Sequence, residues 1–330
     1  FEDEHGMAFS RQEKVLVTGA AGFVGKFCID ALLDAGLDMG QIFALSRENE
    51  RLPAQGVNAV TCNILDRVGI RELVADLKPS AIIHLAAIAE PAKARADYDA
   101  AWAINFDSVR HLAETILDVS AGTRLIFSGS AESYGASFND ASTPVLEATP
   151  LRPTTTYGAT KAAADMLLGQ MAHDGLKAVR FRAFNHTGPG QAPAYVVPAF
   201  AAQIARIEAG LQPAVVRVGN LEARRDFLDV RDVAIAYARA ADPAAEIDGS
   251  VFNLASGGAR SIRSILDTLV RMSKSRISVE IDPEKLRPSD VPYAAGDNSD
   301  LRKALGWTPA HPFEETLADT LAFWREKFAS

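Results

Sequence analysis

From residue 14 onward, short apolar runs rich in β-branched residues alternate with stretches whose apolar positions recur every three or four residues. The first run, "KVLVTG" at 14–19, ends in glycine and passes into "FVGKFCIDALLDAG", which has helical spacing and its own terminal glycine. That order predicts strand, tight turn, helix. The rhythm continues: "QIFALS", "VNAVTC", "SAIIHLAA", "TRLIFSGS" and "KAVRFRAFN" read as strands, and helical periodicity falls near 67–77, 96–119 and 156–173. Apolar strands separated by helices predict an α/β protein with a Rossmann-type, doubly wound parallel sheet covered on both faces.

Beyond Asn185 the pattern changes. "HTGPGQAPAYVVP" is rich in Gly and Pro and is expected to leave the sheet and begin a smaller α/β lobe. "RDFLDVRDVAIAYARAA" and "SVFNLAS" predict a further helix and strand returning to the main sheet, and the tail from 257 to 330 carries two predicted helices and the loop "LRPSDVPYAAGD". The expected division is therefore interleaved: 11–185 with about 226–256 for a dinucleotide, and about 186–225 with 257–330 for a second ligand. The crevice between them should lie at the carboxyl ends of the strands.

Composition narrows the classes. A chain of 330 residues with 48% hydrophobic and 23% charged residues can bury a large core, and it has no apolar run of membrane-spanning length. The net charge of −8 argues against nucleic acid as partner, because neutralising phosphates needs a basic face. Cys28 and Cys62 show no metal-ligand spacing and read as reduced thiols of a cytoplasmic protein, with no metal site expected. The opening "FEDEHG" lacks the basic and apolar regions of a secretory signal. Residues 1–6, ahead of Met7, read as vector-derived and stand apart from the fold.

Two stretches carry candidate chemistry. In "TGAAGFVG", Gly19 permits a sharp turn, Gly22 lets backbone approach a pyrophosphate, and Gly25 allows close packing of helix on strand. At the end of the second strand, Ser46 and Arg47 could receive a 2′-phosphate, which favours NADP(H). A solvated surface arginine is the alternative, and Glu48 keeps NAD(H) in play. In "TTTYGATKAAAD", Tyr157 and Lys161 stand four apart and share a helix face. A nearby ammonium would favour the phenolate and bring proton exchange closer to neutral pH, although such a pair also occurs on plain surface helices. Upstream, "SGSAESYG" follows a predicted strand, and its Ser130 could bond the oxygen that Tyr157 protonates.

Together the glycine pattern, "HLAA" at 84–87, the Ser130 segment, "YGATK" and "RAFNHTGPGQ" resemble the extended short-chain dehydrogenases/reductases that act on sugar nucleotides. Within them, "RVGNLEARRDFLDVRDV" and "LRPSDVPYAAGDNSDLRKALGWTP" are most similar to the reductases of GDP-4-keto-6-deoxy-D-mannose (GDP-6-deoxy-D-lyxo-4-hexulose), neighbours of the GDP-mannose 4,6-dehydratases. The resemblance implies Tyr157 as acid, Lys161 as its electrostatic partner and ribose anchor, and Ser130 as second donor to the C4 oxygen. It implies cofactor contacts at Gly19, Gly22, Phe23, Val24, Gly25, Ser46, Arg47, Asn63, Ile64, Leu85, Ala86 and Ala87, with Phe184 and His186 on the nicotinamide side. Asn63 stands where relatives often have Asp. Asn185 and Arg225 would meet the sugar nucleotide and its diphosphate, and Arg287 and Asp290 the phosphates and ribose of GDP. A homodimer through the helices at 96–119 and 156–173 is the implied assembly.

Some roles stay open. Glu132, two residues after Ser130, matches the carboxyl group that dehydratases use to move protons, or it is a solvated or capping residue. The dehydratase segment "ESPRRG…FVTRKIT" is replaced by "NHTGPGQAPAYVVPAF", which favours the reductase. Arg225 could instead pair with Asp226 or Asp229, and Arg287 and Asp290 could cap a turn. His84 and Asn105 read as structural polar residues. Another nucleotide-sugar epimerase or reductase, or a non-enzymatic NADP(H) sensor, are the competing functions.

Overall fold

The computed structural model describes residues 9–48, 50, 56–140, 143–285 and 291–329. Its strands are β1 (Val15–Thr18), β2 (Ile42–Ser46), β3 (Asn58–Thr61), β4 (Ala81–His84), β5 (Arg124–Ser128), β6 (Ala178–Ala183), β7 (Asn185–Thr187), β8 (Val215–Val218), β9 (Arg224–Asp229), β10 (Val251–Leu254), β11 (Ala259–Ser261), β12 (Ser278–Ile281) and β13 (Tyr293–Ala294). The α-helices are α1 (Phe23–Asp34), α2 (Arg67–Leu77), α3 (Pro91–Ala96), α4 (Tyr98–Trp102), α5 (Ser108–Val119), α6 (Thr156–His173), α7 (Val196–Glu208), α8 (Val230–Ala241), α9 (Ile262–Arg271), α10 (Ser299–Leu305) and α11 (Phe313–Phe328).

Among the described residues, β10-β6-β5-β4-β1-β2-β3 form one seven-stranded parallel sheet, the Rossmann-type α/β arrangement expected. Strand order runs outward from β1 to β3 and then resumes beside β1 at β4, so the switch point lies between β1 and β4. β1 and β4 are buried at every position, because helices cover both faces. On one face α1 and α8 pack Ile29, Leu32 and Tyr237 against the sheet; on the other, α2, α5 and α6 contribute Val74, Leu112 and Leu168. A third apolar cluster, with Ile204, Leu266, Phe313 and Trp324, joins α7, α9 and α11 away from the large sheet.

Short caps fix the helix starts. Asp66 Oδ1 accepts from the Gly69 amide at the head of α2, and Thr155 Oγ1 accepts from the Gly158 amide at the head of α6. The helix expected over 96–119 is broken: α4 passes through a π-helical turn at Ala103–Asp107 before α5 begins. The extra residue in that turn points Asn105 inward, fully buried, where its amide accepts from Ile88 N and donates to Ile88 O and Thr160 Oγ1. The tail holds a third helix, α10, only seven residues long and therefore short of a readable period. β9 belongs to a small sheet, order β11-β9-β13 with β7 alongside β9. Cys28 and Cys62 are both free thiols. Among the described residues no helix is long and apolar enough to cross a membrane.

Candidate active site

The glycine-rich turn closes against the chain that follows β4. Gly19 has φ +67°, and a Cβ there would lie 2.8 Å from the Ala86 backbone nitrogen, so both conformation and space require glycine. A Cβ on Gly25 would lie 2.4 Å from Ala20 O, which is how α1 packs so close to the turn that launches it. Gly22 caps α1 without a side-chain hydrogen bond, so no capping side chain offsets the partial positive charge of the helix N-terminus. Thr18 O accepts from Leu85 N and Thr18 Oγ1 from Ala86 N, which seats the 85–87 segment beside the turn.

The ends of β2 and β3 meet next to it, where Ser46 O accepts from Cys62 N at 3.2 Å. Ser46 is buried, whereas Asn63 is exposed and its Oδ1 accepts from Leu65 N. Ile64 packs against the α2 and α5 side of the core. The Arg47 guanidinium is exposed and held by Glu50, with Nε to Oε1 at 2.9 Å. Glu50, which sequence inspection passed over, thus adds a second carboxylate to this corner besides Glu48.

On the other side of the switch point, α6 presents Tyr157 and Lys161. Burial pushes the Tyr157 hydroxyl up from its ordinary value, a bond with the Ser130 side chain partly offsets this, and Glu132 and Tyr195 push it further up. Lys161 is buried, and burial lowers it to about 7; its Nζ donates to Ser128 O at 2.8 Å and lies over the Phe127 ring. The expectation that the ammonium draws Tyr157 toward its phenolate is therefore corrected. Two groups desolvated together both favour their neutral forms, and the lysine proton is directed at a carbonyl. A protonated phenol at neutral pH is a proton donor.

Glu132 is exposed and its Oε2 accepts from Thr155 Oγ1 at 3.1 Å, the same hydroxyl that caps α6. A Cβ on Gly158 would lie 2.6 Å from Glu132 O, so the Ser130–Glu132 loop is pressed onto the first turn of α6. Charge on Glu132 also supports the Arg225 guanidinium, whose pKa burial lowers. Arg225 does not pair with either neighbouring aspartate. Asp226 accepts from the amides of Ser256 and Gly257, and Asp229 binds Arg231 and Thr316. Asn185 stands on β7 and donates to Asp226 O at 3.3 Å.

His186 stacks parallel to Phe23 at 6.4 Å between ring centroids, which ties β7 to the first residue of α1. Phe184 follows β6 in the chain. Its ring is buried against Tyr134 and Phe138, in space that a Cβ on Gly296 would fill. His84 is a core residue: its Nδ1 lies 3.0 Å from Thr18 Oγ1, and burial followed by the Lys161 charge lowers it to about 3. Arg287 and Asp290 lie outside the described residues.

Tyr195, at the head of α7, was missed in the sequence although its charge state bears on Tyr157. It stands 38 residues from Tyr157 in a Pro-rich stretch with no periodic signal. Thr155 was missed as well, although a threonine three residues ahead of a helical glycine is a capping signal.

The lysine makes a testable statement about pH. The unfolded chain holds this proton up to about 10.4, while the folded chain releases it near 7. Across that window the unfolded state binds more protons, so stability rises with pH; below the folded value the burial penalty is complete. Thermal melts of the wild type and Lys161→Met between pH 7 and 9 should show the wild type gaining on the variant. A constant gap would mean the ammonium stays charged in place.

A sequence model of the "GDP-mannose 4,6 dehydratase" family matches residues 16–320. The GDP-6-deoxy-D-mannose reductase of Pseudomonas aeruginosa is 28% identical over 316 residues, covering 96% of this chain and 98% of the relative. The structure titled RMD from Pseudomonas aeruginosa, complexed with NADPH, superposes with a TM-score of 0.82 at 27% identity, covering 96% of this chain and 99% of that one. A Thermotoga maritima UDP-glucose 4-epimerase with UDP-glucose gives a TM-score of 0.82 at 25% identity, covering 95% and 99%.

Proposed function

The chain belongs to the GDP-mannose 4,6-dehydratase family, whose relatives are NAD(P)-dependent nucleotide-sugar enzymes, and from that premise we propose that it reduces the C4 ketone of GDP-4-keto-6-deoxy-D-mannose with NADPH, forming GDP-D-rhamnose. The observation that carries this reading is Tyr157, kept protonated by burial, with the Ser130 side chain near enough to offset part of that shift. A neutral phenol backed by a second hydroxyl is the group a ketone needs as its oxygen gains charge.

A dinucleotide fits the other half of the crevice. The head of α1 has no side-chain cap at Gly22, and a Cβ there would lie only 3.1 Å from Gly19 O, so the tight turn leaves backbone amides at the helix head for a pyrophosphate in this reading. In this reading Gly19, Gly22, Phe23, Val24 and Gly25 hold the pyrophosphate, Ser46 and Arg47 the 2′-phosphate, and Asn63 and Ile64 the adenine. Leu85, Ala86 and Ala87 line the middle, and Lys161, His186 and the Phe184 backbone flank the nicotinamide riboside. The bound cofactor supplies the reducing equivalent.

The chain's own residues do the rest. Ser130 and Tyr157 hold the ketone oxygen, and Tyr157 gives it a proton. Lys161, which burial lowers to about 7, gains charge beside anionic ligands and then favours reprotonation of the site. Arg225, with Arg287 and Asp290, takes the GDP moiety. The sugar nucleotide belongs to 186–225 with 257–330, the dinucleotide to 11–185 with 226–256. Exposed Tyr98, Trp102 and Met166 on α4 and α6 suit a homodimer, and a cytoplasmic setting belongs to the same proposal.

Glu132 favours a second reading, dehydration of GDP-mannose, because its carboxylate is hydrogen-bonded by Thr155 within electrostatic reach of Tyr157. Separate incubations decide between them. With the 4-keto-6-deoxy sugar, the reductase oxidises one NADPH per sugar; with GDP-mannose and NADP⁺, a dehydratase forms the ketosugar without net cofactor consumption. Inertness in both mixtures would sink both readings and leave an epimerase.

A further inference from the structure

The corner at the end of β2 holds an anion of its own. Glu50 Oε2 accepts from the Arg47 amide at 3.0 Å, and Oε1 accepts from Arg47 Nε at 2.9 Å and Nη2 at 2.5 Å. Glu50 N donates to Arg47 O at 3.2 Å, closing the turn around the pair. The carboxylate side chain is 30% exposed against 76% for the guanidinium, so the acid lies against the backbone and the cation outward. One backbone N–H and one edge of a guanidinium are the donors that a phosphate monoester takes at such a strand end. The guanidinium beside Glu50 also holds its carboxyl below the usual range, so it stays charged.

We propose that Glu50 sets the preference between the two nicotinamide dinucleotides, by competing with the 2′-phosphate for Arg47 and by offering a carboxylate to a 2′-hydroxyl. The inference rests on the reading that Arg47 faces the cofactor ribose. Two anions cannot share one cradle, so NADPH must displace Glu50 from the guanidinium, whereas NADH leaves the pair intact and gains an acceptor for its hydroxyl. Exposed ion pairs are weak. Displacement is therefore easy, and the outcome is a graded preference with both dinucleotides bound.

Titration of the full chain with NADPH and with NADH, followed by nicotinamide fluorescence without any sugar, tests this. Glu50→Gln should raise the affinity ratio of NADPH to NADH by roughly five-fold, mainly through tighter NADPH, and 2′,5′-ADP should gain where ADP does not. Arg47→Gln should lower the ratio through NADPH alone. If Glu50→Gln leaves the ratio unchanged, or weakens both dinucleotides equally, while Arg47→Gln still lowers it, Glu50 is no determinant and the proposal falls. If Arg47→Gln also leaves the ratio unchanged, the placement of Arg47 at the ribose fails, and the proposal with it.

Discussion

Replacing Tyr157 by phenylalanine is expected to lower turnover of the 4-keto-6-deoxy sugar by about 10²–10⁴-fold, the usual contribution of a positioned general acid. The variant keeps the ring and loses only the hydroxyl. Dinucleotide binding should therefore survive, and kcat and kcat/KM should fall together, the mark of an interaction made in the transition state. Burial pushes the wild-type hydroxyl above its ordinary value, so loss of the acid should not limit the rate until the pH exceeds about 10. Wild-type turnover in the variant, or a rate that already declines near neutrality because a phenolate forms, would remove Tyr157 from the role.

The second large effect is expected one face further along α6. Asp165 lies eight residues beyond Tyr157 and is buried between two arginines: Arg182 Nε donates to its Oδ2 at 2.9 Å and Arg180 Nη1 to its Oδ1 at 3.2 Å. Arg182 also donates to Tyr134 Oη, which in turn donates to Asn253 Oδ1. Asp165→Ala leaves two desolvated guanidinium groups without their counter-charge, a loss of roughly 3–5 kcal/mol. The thermal midpoint should fall by roughly 4–7 °C, whereas Asp174→Ala, at an exposed position near the end of the helix, should stay within about 0.5 kcal/mol of wild type. A shift for Asp165→Ala no larger than that control would mean the arginines find solvent, and that the network does not hold α6 on the sheet.

How far the sequence reaches can be judged from particular residues. Gly19 and Gly25 were legible because each needs a backbone conformation or a contact that only glycine permits, and the flanking pattern of strand and helix says where. Lys161 was legible as a position but its chemistry was inverted. Helical spacing places it on the face of Tyr157, yet whether an ammonium meets a phenol or a carbonyl depends on Ser128, which arrives on another strand. Phe184 shows the same limit: its place at the end of β6 follows from the chain order, while the direction of its ring is set by Tyr134, Phe138 and the missing side chain of Gly296. Tyr195 had no local signal at all.

What the sequence determined by itself is the alternation of apolar strands with helices, the glycine turn, and the shared helix face of Tyr157 and Lys161. These follow from steric and periodic rules acting within a few residues. Tertiary structure alone decided which groups share a low-dielectric space: the neutral bias of Tyr157 and Lys161, the contact of the Ser130–Glu132 loop with α6, and the commitment of Asp226 and Asp229 that keeps them off Arg225. Proton affinity and charge pairing depend on burial and on distances between segments far apart in the chain, and no local pattern encodes those.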